Sequence, residues 1–113
     1  MTRAGDRAPD ARLSDASGAP VRLFDLLRGP HFALLALGGA AVPALGSQYR
    51  SAVRVHRIAR AGAAGEGAVV DGEGQVHRTY GEGLILVRPD GYIGYTGPAD
   101  GAGLRSYLRR FFG

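Results

Sequence analysis

Three histidines, His31, His56 and His77, are the side chains of this sequence most able to hold a metal or relay a proton. They lie far apart, and none has a carboxylate or second histidine at ligand spacing, so ordinary core or surface histidines are expected and no metal site is assigned. Ser47, Ser51 and Ser106 stand outside any G-x-S-x-G turn, the device that exposes a serine nucleophile. Asp71, Glu73 and Glu82 could meet as a carboxylate pair for acid–base work, but Asp and Gly in such company are first of all turn formers. The chain has no cysteine, which removes disulfides, thiolate metal sites, cysteine nucleophiles and dithiol redox chemistry together.

Arg50, Arg54, Arg57 and Arg60, with Tyr49 beside them, could contact phosphates and stack a base. No RNP, KH or helix-turn-helix signature accompanies them. All 14 basic residues are Arg, spread from Arg3 to Arg110 with acids interleaved, so the net charge of +4 reads as a solvated surface and nucleic acid is the lesser expectation. Tyr92 and Tyr95 suit a different role. Strand alternation would set them on opposite faces, one packing in the core and the other, with Arg88 just before the turn, available for a protein contact.

The elements that would position these residues follow from pattern. At 113 residues and 45% hydrophobic the chain suits one domain, able to bury a core without crosslinks. Residues 1–20 read as an extended lead-in with a turn at Asp15-Ala16-Ser17-Gly18. Leu23, Leu26 and Leu27 share helical spacing, and Gly29-Pro30 stops that short helix. The unalternating run Phe32-Ala33-Leu34-Leu35-Ala36-Leu37 fits a strand buried on both faces. A helix opening at Pro43 and passing Leu45 and Tyr49 is expected next, then a strand over residues 52–58, a Gly/Ala-rich connection, and a short apolar segment at Val69-Val70 followed by turns.

Leu84-Ile85-Leu86-Val87 and Tyr92-Ile93-Gly94-Tyr95-Thr96, separated by Pro89-Asp90-Gly91, predict a hairpin. Pro98-Ala99-Asp100 opens a terminal helix with Asp100 as N-cap. It places Leu104, Tyr107, Leu108, Phe111 and Phe112 on one face and Arg105, Arg109 and Arg110 on another. The expected fold class is α/β, a central mixed sheet flanked by helices, ending in a hairpin and a docking helix. No secretory signal is visible in Met1-Thr2-Arg3-Ala4-Gly5-Asp6-Arg7, and the apolar run of residues 32–46 falls short of the ~20 residues a spanning helix needs. A cytoplasmic protein without membrane contact is expected.

The order of elements resembles the thioredoxin-like superfamily. The opening Gly5-Asp6-Arg7-Ala8-Pro9, the turn Leu23-Phe24-Asp25-Leu26-Leu27 before the buried strand, and the late Leu86-Val87-Arg88-Pro89-Asp90-Gly91-Tyr92-Ile93 resemble the C-terminal domain of class A FAD-dependent aromatic hydroxylases, the phenol and polyketide hydroxylase group. The opening is also similar to that of peroxiredoxins. Where a thioredoxin or peroxiredoxin carries its reactive cysteine, this chain has Gly38, Gly39, Ala40, Ala41, Val42 and Pro43, and Glu82-Gly83 stands where a cis-proline would precede the hairpin. The resemblance therefore implies a thioredoxin-like scaffold with a degenerate active-site loop.

A FAD pyrophosphate site needs G-x-G-x-x-G after a strand, and Gly65-Glu66-Gly67 and Gly72-Glu73-Gly74 supply only the first two glycines. FAD and NAD(P)H are thus implied only for a parent catalytic body, and no catalytic, cofactor or metal residue is assigned to this chain. The implied partners are that body or a second copy of the chain, and the implied role is packing or subunit contact. Two other readings remain open: a freestanding small binding protein presenting the loop of residues 38–43 and the Glu82-Gly83 segment, and a basic nucleic-acid binder.

Overall fold

The computed structural model describes residues 2–15, 17–37, 49, 52–60, 69–97 and 102–112. Among the described residues ten elements run in the order β1 (Arg12–Ser14), β2 (Pro20–Arg22), α1 (Leu23–Leu27), β3 (Phe32–Leu37), β4 (Val53–Arg60), β5 (Val69–Asp71), α2 (Gln75–Tyr80), β6 (Gly83–Val87), β7 (Ile93–Gly97) and α3 (Ala102–Phe112). The strands form one mixed sheet in the order β2-β1-β5-β4-β3-β6-β7. Strand β3 pairs in parallel with β4 and antiparallel with β6, with Leu34 opposite both Val55 and Leu86. No described helix is long and apolar enough to cross a membrane.

Because successive side chains of β3 point to opposite faces, its apolar run feeds two core layers. Ala33, Leu35 and Leu37 join Ile58, Ile85 and Val87 in a layer closed by Ala8, Ala11, Leu13, Leu23, Val76 and Tyr80. Leu34 and Ala36 join Val53, Leu84 and Leu86 in a second layer, closed by Leu104 and Leu108 of α3 with Tyr95 and Tyr107 packed against it. The expected helical face of α3 is thus seen at Leu104, Tyr107 and Leu108, while Arg105, Arg109 and Arg110 are exposed.

The lead-in is more ordered than expected. Residues 12–14 and 20–22 pair as an antiparallel hairpin around the anticipated turn, where Gly18 N–H reaches Asp15 O at 3.0 Å and the Asp15 carboxylate accepts from Ser17 and Ala19 N–H. Asp10 then fixes the start of α1, accepting from Phe24 N–H at 3.0 Å. A second addition is α2, a helix directly after the expected turns at residues 72–74, where no element was anticipated. The helix expected from Pro43 and the N-cap at Asp100 fall outside the described residues.

Strand β7 carries a bulge. Val87 pairs with Ile93 and Leu86 with Tyr95, leaving Gly94 as the extra residue. Ile93 and Tyr95 consequently face different layers although they are two residues apart. Gly94 is required there for space as well, since a Cβ would lie 2.5 Å from Tyr107 Oη. Gly94→Ala should therefore lower stability by about 1–3 kcal/mol, the usual cost of overpacking. The penalty should shrink in a Tyr107→Phe background, because the nearest remaining ring atom, Cζ, is 3.1 Å away. Urea unfolding of the four proteins of this double-mutant cycle measures both terms.

Candidate functional site

The hairpin turn and its neighbours hold the residues singled out for a protein contact. Gly91 N–H bonds Arg88 O at 2.9 Å and Arg88 N–H bonds Tyr92 O at 2.8 Å, closing the turn, with Gly91 at φ 87°. The Arg88 guanidinium donates to the Asp90 carboxylate at 2.5 Å. The lead-in is strapped across the same edge: Gly5 N–H to Ile93 O, Ile93 N–H to Asp6 O, and Ala8 N–H to Gly91 O, at 2.8–2.9 Å. Tyr92 sits just before β7, bridged to Arg7, and is 40% exposed, with the Arg7 guanidinium 5.7 Å from its ring centroid. Tyr95 is half-buried, its ring centroid 6.2 Å from that of Tyr107. One tyrosine packs and the other faces solvent, as anticipated, but the bulge at Gly94 breaks the simple alternation used to anticipate it.

Beside this turn opens a cleft of about 290 Å³, lined by Arg7, Phe24, Leu27, Arg28, Pro89 and Asp90 among others. It draws on the opening segment, α1 and the hairpin turn at once.

The other candidates disperse. Arg54, Arg57 and Arg60 are all exposed on β4, but a strand turns their spacing into two faces, Arg57 opposite Arg54 and Arg60. Arg60 is paired with Glu82. The carboxylates do not converge: Glu82 meets Arg60, Glu73 is exposed, and Asp71 is buried with His77. Among the described residues no three His, Asp or Glu side chains gather as a metal site. His31 and His56 lie close enough to interact, and burial, followed by the His31 charge, pushes the His56 pKa down. The loop at residues 38–43 lies outside the described residues.

Sequence reasoning missed the Asp71–His77 pair. The Asp71 carboxylate accepts from His77 Nδ1 at 2.7 Å and from His77 N–H at 2.9 Å. Both side chains are essentially inaccessible, at 0% and 2% exposure. Burial acts to raise the Asp71 pKa, but the backbone N–H of His77, its ring and Val76 N–H outweigh it and hold the carboxyl below the usual range. A carboxylate-oriented imidazole is a familiar catalytic part, yet a pair sealed from solvent meets no substrate. Its work is to tie β5 to α2. Tyr80 extends the tie, its hydroxyl donating to Pro9 O at 2.5 Å, and burial raises its pKa.

The same carboxylate decides the fit of a dinucleotide. Strand β5, the Gly72-Glu73-Gly74 turn and α2 imitate a strand–glycine turn–helix phosphate site, but Asp71 already occupies the N–H groups of the first turn and repels an anion. These residues do not fit the pyrophosphate of FAD.

The whole chain, residues 1–113, matches the family described as aromatic-ring hydroxylase, C-terminal. The chain belongs to that family. A flavin-dependent monooxygenase of Mycobacteroides abscessus is 41% identical over 92 residues, 81% of this C-terminal hydroxylase domain and 14% of the relative. The domain thus spans about one-seventh of the curated relative it matches. The flavin-dependent monooxygenase PieE, solved with FAD and substrate, superposes with TM-score 0.68 at 24% identity, over 95% of the domain and 19% of PieE. The thioredoxin domain of a thiol-disulfide oxidoreductase from Bacteroides vulgatus superposes with TM-score 0.63 at 17% identity over all of both chains. The fold is thioredoxin-like.

Asp71→Ala should cost about 3–5 kcal/mol, the range for removing one partner of a buried pair. Since the folded Asp71 pKa is lowered, its contribution is fully present above the ordinary carboxylate pKa of ~4 and is lost as pH falls through the lower folded value. Urea midpoints between about pH 7 and pH 2 should therefore fall less steeply on the acid side for the variant than for the parent.

Proposed function

We propose that this chain is a redox-inactive accessory domain of a larger FAD- and NAD(P)H-dependent monooxygenase acting on an aromatic or polyketide substrate. It binds no cofactor and performs no bond chemistry itself. Its role is packing on the flavin- and substrate-binding body, or contact with a second copy, with Tyr92 and Arg88 at the hairpin turn on the contact face and Tyr95 supporting that hairpin from beneath. The observation that carries this reading is the match of every residue to a hydroxylase C-terminal family in a chain with no cysteine. A thioredoxin-like scaffold needs a thiolate to cycle electrons, and this one has no sulfur nucleophile to ionise. The small share of the curated relative that the domain occupies adds support, since the remainder has room for the dinucleotide site that Asp71 forecloses here.

The purified 113-residue chain should reduce no insulin disulfides, consume no peroxide at enzymatic rates and retain no flavin after gel filtration with FAD. Retained flavin or thiol-type turnover contradicts the proposal. Salt-sensitive binding to oligonucleotides would instead favour the nucleic-acid reading.

A further inference from the structure

The cleft beside the hairpin turn is built by three segments far apart in sequence: Arg7 from the opening, Phe24, Leu27 and Arg28 from α1 and its end, and Pro89 and Asp90 from the turn. Three large apolar side chains are exposed among the described residues, Phe24 at 44%, Tyr92 at 40% and Val55 at 38%. Phe24 lines this cleft, and Tyr92 lies under Arg7 at its rim. Arg28 and Asp90 are each satisfied locally, by Asp25 and Arg88. Arg7 has no carboxylate partner among the described residues; its guanidinium rests on the Tyr92 ring. An exposed guanidinium held over an aromatic face and flanked by a second exposed ring has the composition of a protein-contact anchor. The larger cleft along β1 and β2 is lined by Arg12 and Arg22, the latter paired with Asp10, but among the described residues no aromatic side chain lines it to hold a guanidinium or anchor a contact.

We infer that this cleft receives the flavin-binding body of the same polypeptide, through a surface that presents a carboxylate to Arg7 beside an apolar side chain for Phe24 and Leu27. The inference rests on the reading under Proposed function and names the face it uses. The family is a C-terminal one, and the curated relative has about six-sevenths of its length outside the matched part, so the body precedes this domain. Residues 5–8 are bonded to the hairpin at Ile93 and Gly91, which brings the entering chain past the rim of this cleft. A carboxylate from the body would complete Arg7, the rim arginine without an acid among the described residues, with the bidentate geometry arginine favours.

The test is hydroxyl-radical footprinting of the complete native polypeptide that carries this sequence, compared with the same polypeptide unfolded. Docking predicts that Phe24 and Tyr92 label roughly tenfold more slowly in the native protein, as rings in a water-excluded contact do. Arg7→Glu, a change at an exposed side chain, should restore labelling of both rings while bound flavin persists. If the polypeptide holds flavin but the rings label in proportion to their 44% and 40% exposure, the inference is overturned and the accessory reading stands. Protection unaffected by Arg7→Glu, or lost on dilution as for a second copy, also overturns it. A polypeptide with no flavin-binding body overturns both.

Discussion

Strand β3 carries the rest of the molecule because it is hydrogen-bonded on both edges and covered on both faces. Its residues supply the middle rung of each core layer, and each described helix contributes buried side chains to one of those two layers. A strand so placed tolerates no polar face, which is why Phe32-Ala33-Leu34-Leu35-Ala36-Leu37 lacks alternation. It also sets the register of β6, and through β6 that of β7, so the position of the hairpin turn and its rim follows from pairing at the centre.

Around that centre, several polar groups fasten one element to another. Asp71 replaces the missing side-chain cap of α2, whose N-cap is Gly74 in the left-handed region, and it orients His77 in the same act. Asp10 does the equivalent for α1 and Tyr80 closes the circle through Pro9. These fastenings hold the lead-in, α1 and α2 over one layer, leaving the outer edges of the lead-in, α1 and the hairpin turn as the surface that three motifs share.

Much of this was legible in the sequence where a single strong period operates. The β3 run, the β6–β7 hairpin with its Pro89-Asp90-Gly91 turn, and the apolar stripe at Leu104, Tyr107 and Leu108 each outlast any competing pattern. Strands β1 and β2 were hidden because three residues are too few to establish alternation, and only the turn between them had a signature. Helix α2 was hidden because its cap comes from a strand residue three positions before Gly74, and Asp71-Gly72-Glu73-Gly74 looks like a plain turn to any local reading. The Asp71–His77 pair and the cleft rim join elements, so no spacing rule could have found them. The bulge at Gly94 shows the converse: one of Tyr92 and Tyr95 was expected to pack, without a choice between them, and by an alternation that the chain does not keep.

The scaffold is that of proteins that move electrons through sulfur, and the family is one whose relatives are flavin monooxygenases. On the proposed reading, a domain with that backbone and no thiol serves such an enzyme as a shaped surface. The most direct measurement is the intact mass of the polypeptide as its gene encodes it, taken under native conditions with its visible absorption spectrum. The account predicts a chain several times larger than 11.8 kDa with stoichiometric FAD that stays bound to the remainder when this segment is proteolytically released. A native polypeptide of 11.8 kDa, or flavin that leaves with the released segment, would contradict it.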